Sequence, residues 1–262
     1  MSDYLSNLFS LKGKTALVTG GSKGIGKMIS VALIKAGAKV YISSRSQETC
    51  DATAAELSDH GECVSIPFDL STVENIQHLA DELAKREDRL DILINNSGKS
   101  WGADIDKFPE RGWDDVMTLN VKSPFYLVQR LLPLLEKAGT KEDPARIINI
   151  GSIAGIISTT QSAYSYMASK AAINHLTKGL AKDLVNRNIV VNAIAPGFFP
   201  SKMTRHITEN EDVKKYAIGM IPLGRMGQPE EIGSLAIFLC SKPSAYMTGT
   251  IIPIDGGILI NG

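Results

Sequence analysis

The sequence predicts an α/β fold: a single-domain, Rossmann-type, doubly wound parallel sheet of about seven strands with helices on both faces. Two observations support this prediction. Short apolar runs, each long enough for one strand, alternate along the chain with segments of helix length and helical spacing. A glycine-rich turn directly follows the first of these runs, where such a sheet would bind a nucleotide. The alternation itself requires crossover connections, which cover both faces of a parallel sheet.

The predicted strands, in order, are residues 14–19, 38–43, 62–67, 90–95, 146–150, 189–195 and 250–254. Each is a short, mostly apolar run, and the segments between them are long enough to form helices. No Pro-, Ser- or charge-rich linker interrupts the chain, and its 44% hydrophobic content can fill a sizeable core. We therefore expect residues 1–262 to form one domain.

Composition excludes several classes of protein. Lys plus Arg and Asp plus Glu both total 28, so no broad field attracts nucleic acid or an anionic membrane. Cys50, Cys63 and Cys240 are far apart and odd in number, which indicates reduced thiols. The four histidines lack metal-ligand spacing, so we expect no metal. Without an apolar leader or membrane-length run, the expected location is cytoplasmic and the expected partner is a small molecule.

A glycine-rich loop separates the first predicted strand from the helix after it. Gly20, Gly24 and Gly26 allow a tight turn and close approach of the backbone to a ligand. The N-terminus of the helix directs unpaired N–H groups and a partial positive charge toward a diphosphate. The predicted cofactor contacts of this loop are Gly20, Ser22, Lys23, Gly24, Ile25 and Gly26. The alternative is a helix-entry turn that binds no ligand.

The end of the second predicted strand indicates which dinucleotide binds. NAD-binding proteins usually place an acidic residue there, which accepts hydrogen bonds from the ribose hydroxyls. This chain has Ser44 and Arg45 instead, and a guanidinium can pair with the 2′-phosphate of NADP. Lys23 adds a second cation nearby. We therefore predict NADP(H) as the cofactor, although each cation taken alone is also typical of a solvated surface.

Tyr166 and Lys170 form a Tyr-x-x-x-Lys pair on the helix predicted over residues 163–187. This spacing puts both side chains on one side of the helix. The apolar stripe of the same helix consists of Ile173, Leu176, Leu180 and Leu184. Reducing a ketone needs a proton at oxygen, and a phenol whose pKa is lowered by a nearby cation can supply it. With the glycine loop, this pair predicts a nicotinamide-dependent oxidoreductase; Tyr164, a rival phenol, has no matching lysine.

Further motifs make the chain resemble the short-chain dehydrogenase/reductase family over nearly its whole length. The matching positions are Thr19 to Gly26, Asp69, Asn95-Asn96-Ser97-Gly98, Asn120, Ser152, Tyr166, Lys170 and Pro196-Gly197. The resemblance implies that Asp69 and Leu70 contact the adenine, and that Asn95, Asn96, Ser97 and Gly98 line the cofactor. It also implies that Pro196, Gly197, Phe199 and Ser201 face the nicotinamide. Ser97 stands where the family commonly has Ala, and Ser201 where Thr is usual.

The resemblance also implies catalytic roles. Tyr166 would donate the proton, Lys170 would hydrogen-bond the nicotinamide ribose, and Ser152 would donate to the substrate carbonyl. Asn120 would hold a water that relays protons to Lys170. Ser152 lies one residue farther from Tyr166 than is usual, which leaves its exact placement open. Asn120 as a satisfied amide in an apolar helix, and Ser152 as a cap or turn, are the structural alternatives.

Within the family, the chain is most similar to 3-oxoacyl reductases, which implies reduction of a 3-oxoacyl thioester to the 3-hydroxyacyl thioester. The segments expected to cover the substrate are residues 99–111, 153–163 and 198–220. They contribute Trp101, Ile153, Ile156, Ile157, Phe198, Phe199 and Met203, which suit an apolar acyl chain better than a sugar. Two alternatives stay open: a dehydrogenase or reductase of a sugar, polyol or other small ketone, and a non-catalytic nucleotide sensor.

Two further partners are possible. Acyl carrier protein is acidic and needs a basic platform beside the site, and Arg187 falls where related reductases carry such a cation. The neighbouring segment 136–144 is mixed in charge, so a coenzyme A thioester also remains a candidate. The helices containing Leu127–Leu135 and Leu176–Leu184 carry more apolar surface than one sheet face requires, and the resemblance implies that such helices pair. We therefore expect a homotetramer.

Overall fold

The strands of the computed structural model are β1 (Thr15–Thr19), β2 (Lys39–Ser43), β3 (Cys63–Ser65), β4 (Ile92–Asn95), β5 (Ala145–Ile150), β6 (Ile189–Pro196) and β7 (Ile251–Ile254). They form one seven-stranded sheet in the order β3-β2-β1-β4-β5-β6-β7, and every pair is parallel. The structure describes residues 2–158, 162–201, 204 and 209–261. The strand order reverses between β1 and β4, which is the point where sheets of this kind bind ligands.

The helices are α1 (Ser2–Phe9), α2 (Gly24–Lys35), α3 (Gln47–Leu57), α4 (Val73–Ala84), α5 (Glu110–Met117), α6 (Ser123–Ala138), α7 (Tyr164–Leu184), α8 (Glu211–Gly219) and α9 (Pro229–Cys240). One core lies between the sheet and helices α2, α3 and α9, and includes Leu33, Leu57 and Leu239. The second core lies on the opposite face under α4, α6 and α7, and includes Leu79 and Leu131. Helices on both faces confirm the predicted doubly wound architecture.

The strand and helix predictions differ from the structure mainly at their ends. The third strand is shorter than predicted, because β3 is the outermost strand on one side of the sheet and Pro67 has no N–H to donate to a ladder. The helix predicted over 163–187 continues as α7 to Leu184. The apolar segment around Asn120 is not one regular helix, because a π-helical turn at Thr118–Lys122 separates α5 from α6.

The amino-terminal edge of the sheet, where the parallel strands begin, carries a cluster of paired charges. Arg146, at the start of β5, is 1% exposed and donates from Nη2 to Asp143 Oδ1 at 3.0 Å. Lys14 lies between Asp143, at 2.8 Å, and Asp91, at 3.4 Å. Asp91 is 2% exposed and also accepts a hydrogen bond from the Thr15 N–H at 3.0 Å. Buried charges are tolerated when they are paired in this way.

For the described residues, the structure bears on three features that the sequence predicts to be absent: a membrane-spanning helix, a metal site and a disulfide bond. No helix in the described part of the chain is long and apolar enough to span a membrane. Within the described ranges, no group of three or more His, Cys, Asp or Glu side chains is placed to hold a metal ion. Cys50, Cys63 and Cys240 are buried and unpaired, and burial raises the pKa of Cys240 to about 12 and that of Cys63 to about 11. Thiols in such surroundings are unreactive.

Candidate active site

A cleft of about 700 Å³ opens at the carboxyl ends of the strands, across the point where the strand order reverses. Its walls come from the segments that follow four strands. They contain Gly20, Lys23, Gly24 and Ile25 after β1; Asn96 to Ser100 after β4; Gly151 to Ala154 after β5; and Pro196 to Phe199, Ser201 and Thr204 after β6. Ile150, Tyr166 and Lys170 complete the lining. The volume suits a ligand the size of a nucleotide cofactor with a small substrate.

The glycine loop fits the diphosphate of a dinucleotide. Gly20 and Gly24 have φ values of +64° and +52°, which favour glycine. A Cβ on Gly26 would lie 2.2 Å from the Gly20 carbonyl oxygen, so only glycine lets α2 approach β1 this closely. Lys23, at the start of α2, is extended and provides no side-chain cap. The first N–H groups of α2 are therefore available to an anion.

The residues predicted to recognise the adenosine lie beyond the cleft walls. Arg45 is exposed and follows β2, next to β1 in the sheet. Among the described residues, neither Arg45 nor Lys23 forms an ion pair, so both cations are available to a phosphate. Asp69 accepts a hydrogen bond from the Ser71 N–H at 3.1 Å, while Leu70 is buried. Ser22, Ser44, Arg45, Asp69 and Leu70 therefore remain predictions at the outer end of the site.

Of the two adjacent asparagines that the resemblance places at the cofactor, only Asn96 lines the cleft. Asn95 belongs to β4, is 5% exposed and donates to Asn149 Oδ1 at 2.9 Å, so its side chain links β4 to β5 inside the sheet. Asn96 lines the cleft and donates to the carbonyls of Thr19 at 2.9 Å and Gly20 at 3.2 Å. Alternation of side chains at the strand end explains the difference. Asn96, rather than Asn95, holds the glycine loop from the cleft side.

The lysine of the Tyr-x-x-x-Lys pair is buried beside the phenol. Lys170 is 6% exposed, and its Nζ donates to the Ile150 carbonyl at 2.7 Å. The same Nζ lies 5.6 Å from the centre of the Tyr166 ring. Burial lowers the pKa of Lys170 to about 8, since among the described residues no carboxylate compensates its charge. Ser152 Oγ accepts the Ala154 N–H at 3.1 Å and therefore also caps a turn.

The pKa of Tyr166 differs from the expectation drawn from the sequence. Burial raises this pKa above its ordinary value, and a hydrogen bond with the Ser152 hydroxyl lowers it in part. Lys170 is not among the groups that lower it. Contact between Ser152 and Tyr166 nevertheless shows that the unusual sequence spacing still brings the two hydroxyls together.

The rival phenol, Tyr164, is outside the cleft wall. Its ring packs edge-on against Phe108, with the ring centres 5.7 Å apart. Because Tyr164 and Tyr166 are two residues apart on α7, their side chains project from different sides of the helix. Of these two tyrosines, only Tyr166 lines the cleft together with Lys170.

The Asn120 side chain is fully engaged away from the cleft. Its Oδ1 accepts the Lys99 N–H at 2.9 Å, and its Nδ2 donates to Lys99 O and to Ser169 Oγ, both at 2.9 Å. Both amide hydrogens are therefore used, as the structural alternative predicted. The residue lies in the π-helical turn at Thr118–Lys122, an irregularity that is frequent at functional sites. A relay water at Asn120 would consequently have to bind its main chain.

The predicted substrate-lining residues divide into three groups. Ile153 and Phe198 line the cleft and belong to an apolar cluster with Ile157, Ile221, Ile258 and Leu259. Phe199 also lines the cleft, but it is 2% exposed and its ring lies over Gly227. Trp101 is outside the cleft wall and packs over Gly112, where a Cβ would lie 2.8 Å from its ring. Ile156 is 49% exposed, and Met203 lies outside the described residues.

Sequence reasoning missed two of the lining residues, Ile150 and Gly151. Lys99, Ser100, Ala154 and Thr204 also line the cleft, and they lie within the segments expected to cover the substrate. Ile150 and Gly151 follow from a general rule, because they end β5 beside the reversal of strand order. Thr204 stands near the position where the resemblance expects Thr; its Oγ1 donates to Phe199 O at 2.7 Å. That bond closes the turn that follows Phe199.

Comparisons with known proteins agree with this geometry. A family model described as enoyl-(acyl carrier protein) reductase matches residues 20–259. The rhamnolipid biosynthesis 3-oxoacyl-[acyl-carrier-protein] reductase of Pseudomonas aeruginosa is 52% identical over 249 residues, covering 95% of this chain and 97% of that protein. The 3-oxoacyl-[acyl-carrier-protein] reductase FabG of Thermotoga maritima is 35% identical, covering 95% of this chain and 99% of FabG.

A solved structure extends the similarity to three dimensions. The structure described as the Pseudomonas aeruginosa RhlG/NADP active-site complex superimposes with a TM-score of 0.95. It shares 52% sequence identity with this chain and covers 96% of this chain and 98% of its own. The fold of this chain is therefore the fold of that relative.

Proposed function

Because the chain belongs to the short-chain dehydrogenase/reductase family, we propose that it reduces the ketone of a 3-oxoacyl thioester to a secondary alcohol with NADPH. The observation that carries the proposal is that Tyr166, Lys170 and Ser152 line one cleft with an uncapped glycine loop. A proton donor and a nucleotide site in one cleft are what carbonyl reduction requires. The similarity to two 3-oxoacyl reductases supports the choice of ketone.

NADP(H) is the cofactor that suits this cleft. Gly20, Gly24 and the uncapped start of α2 would hold its diphosphate, while Arg45 and Lys23 would pair with the 2′-phosphate. When bound, the reduced nicotinamide would supply a hydride to the carbonyl carbon. The similar Pseudomonas aeruginosa protein was solved as an NADP complex, which supports the same cofactor here.

Tyr166 gives its phenolic proton to the ketone oxygen as negative charge develops there. Its raised pKa suits an acid that stays protonated at neutral pH until the substrate needs the proton. Ser152, already in contact with the phenol, donates to the same oxygen and stabilises that charge. Lys170 is held by Ile150 O in position to bind the nicotinamide ribose.

Asn120 acts as a positioning residue in this proposal. Its amide clamps both backbone groups of Lys99 and thereby fixes the loop after β4, including Gly98, which lines the cleft. A Cβ on Gly98 would lie 3.2 Å from Asn120 Oδ1, so the loop and the amide are in close contact. The relay water that the family resemblance implies remains a proposal and would use the main-chain carbonyl of Asn120.

An acyl thioester suits the substrate end of the cleft because Ile153, Ile157 and Phe198 form apolar surface there. The carrier is a separate question. Arg187, the cation expected to meet an acidic carrier protein, forms an ion pair with Glu136, which reduces its attraction for a partner. Acyl carrier protein and coenzyme A thioesters should therefore be compared directly.

The proposed function is tested by following NADPH oxidation with acetoacetyl and 3-oxodecanoyl thioesters on both carriers, beside a sugar-derived ketone. Turnover of a thioester that prefers NADPH over NADH supports the proposal. Activity on the sugar-derived ketone alone would keep the mechanism and change the substrate. NADPH binding without turnover of any carbonyl would instead indicate a nucleotide sensor.

We also propose a homotetramer. Phe125 on α6 is 38% exposed, and Gly179 on α7 has open space where a Cβ would stand. These features leave helix surface on which a second copy can pack closely. The alternative is a monomer of 28.2 kDa, which light scattering would reveal directly.

A further inference from the structure

A second cavity adjoins the substrate end of the cleft. This side cavity has a volume of about 130 Å³ and shares Phe198 and Phe199 with the wall of the main cleft. Its other apolar walls are Ile221, Leu223 and Ile254. The two spaces are therefore separated by the segment that follows β6, with Phe198 in the partition.

The charged side chains around the side cavity already have hydrogen-bond partners within the protein. Arg225 Nη2 and Glu231 Oε1 are 2.6 Å apart, and the second pair, Nη1 and Oε2, are 2.9 Å apart. Asp255 accepts the N–H groups of Gly257 at 3.1 Å and Leu259 at 2.8 Å. No charged side chain of this lining is left without a partner, so the space offers a ligand mainly apolar contact.

The apolar cluster beside Phe198 continues from one space to the other. Ile153 lines the main cleft, Ile221 lines the side cavity, and both pack in one cluster with Phe198 and Ile258. Rotation of a partly exposed phenylalanine side chain is fast on the timescale of catalysis. Movement of Phe198 would join the two spaces along an apolar path.

We propose that the side cavity receives the far end of the acyl chain, and that Phe198 at its entrance helps to set the preferred chain length. This inference rests on the proposed function, because only an acyl substrate has such an end. An apolar cavity of roughly 150 Å³ can hold a benzene ring. The side cavity, at about 130 Å³, is therefore suited to the last few carbons of a medium-length chain.

Leu223 allows the proposal to be tested with little risk to folding, because its side chain lines the side cavity yet is 67% exposed. Leu223→Trp should fill the cavity. The kcat/KM for 3-oxodecanoyl thioester, divided by that for acetoacetyl thioester, should then fall at least about tenfold, since each buried methylene contributes roughly fourfold. Phe198→Ala should change the same ratio in favour of the longer chain.

Val185→Trp is the matched control, because Val185 is 44% exposed and lies outside both cavities; it should leave the ratio unchanged. A wild-type protein that reduces thioesters, with the same ratio in Leu223→Trp, would overturn the role of the side cavity alone. A wild-type protein that reduces no thioester would remove both this role and the proposed substrate. Unchanged NADPH binding in Leu223→Trp establishes that the variant is folded.

Discussion

The sheet has one edge where its parallel strands begin and one where they end. Each of these edges buries a cation, and the surroundings of the two cations differ. At the amino-terminal edge, Arg146 donates to Asp143, and Lys14 joins Asp143 to Asp91. At the carboxyl-terminal edge, Lys170 has the carbonyl of Ile150 as its hydrogen-bond acceptor and no carboxylate beside it. The first arrangement pairs each buried charge with an opposite one, whereas the second keeps an uncompensated charge that chemistry can use.

The pKa values express the same difference. Burial alone would raise the pKa of Asp143, but Lys14 and Arg146 outweigh burial and lower it. Burial acts on Lys170 without opposition and lowers its pKa to about 8. The charged form is thus favoured for the partly buried Asp143 at one edge and disfavoured for the buried Lys170 at the other.

The largest expected effect is at the carboxyl edge. Tyr166→Phe should lower kcat by about 10²–10⁴-fold, because it removes the proposed proton donor while leaving the ring in place. NADPH affinity, measured by fluorescence titration, should change little. Tyr164→Phe is the matched control, since that ring packs on Phe108 outside the cleft, and it should be close to wild type. A near-normal rate in Tyr166→Phe would show that the proton comes from another group.

The amino edge should show the opposite behaviour. Asp91→Asn should lower the free energy of unfolding by about 3 kcal/mol, because it removes one partner from a buried charge cluster. The activity of the folded fraction should stay within about twofold of wild type, since Asp91 is far from the cleft. Glu56→Gln, at the exposed pair with Lys27, should cost less than about 1 kcal/mol. Urea unfolding measures all three proteins, and equal losses at both sites would contradict the comparison.

Lys170 predicts a dependence of stability on pH. Its pKa is about 8 when folded, against an ordinary value of 10.5, so the unfolded chain binds the extra proton between these values. The cost of burying the ammonium is complete below pH 8 and is relieved as pH rises toward 10.5. The unfolding free energy of wild type should therefore rise, relative to Lys170→Met, by roughly 3 kcal/mol across this range.

Urea unfolding of the cofactor-free protein at several pH values checks this prediction. Lys12→Met, at an exposed lysine, controls for the removal of a positive charge and should show no such rise. If the difference between wild type and Lys170→Met were flat with pH, the Lys170 ammonium would be better solvated than the structure indicates.

The smallest expected effect concerns cofactor choice. Arg45→Ala should weaken NADPH binding by about tenfold, because a charged hydrogen bond to the 2′-phosphate is lost, while NADH binding should be unaffected. Lys23→Ala should act in the same direction. Exposed Arg130, on α6, provides the control as Arg130→Ala. Equal loss of NADPH and NADH affinity in Arg45→Ala would place this side chain elsewhere than at the 2′-phosphate.

Most of the fold follows from periodicity. Buried parallel strands are nearly continuous apolar runs, so β1, β4 and β6 could be found without any knowledge of their partners. The glycine loop and the Tyr166–Lys170 pair could be found for a related reason, because each depends on spacing along one local element. Long-range pairings, such as Lys14 with Asp91, carry no periodic signal.

The details of the site depend on packing that spacing does not reveal. Asn95 and Asn96 are adjacent in sequence, and only the last residues of β4 determine which of them faces the cleft. The π-helical turn that holds Asn120 inserts an irregular turn into a segment with an unbroken apolar pattern. The lowered pKa of Lys170 could not be predicted from the sequence, because the sequence shows the lysine but not the buried surroundings that lower its pKa.

The parallel sheet also determines when in folding the cleft comes into existence. The central pairing of β1 with β4 joins distant parts of the chain, as the bond from Thr15 N–H to Asp91 shows across 76 positions. Such contacts form slowly because a long loop must close first. The cleft also needs segments after β5 and β6, so a partly folded chain has no complete nucleotide site. NADPH should therefore bind only the fully folded chain. The rate at which NADPH binding returns during refolding would show when the last segments of the cleft dock.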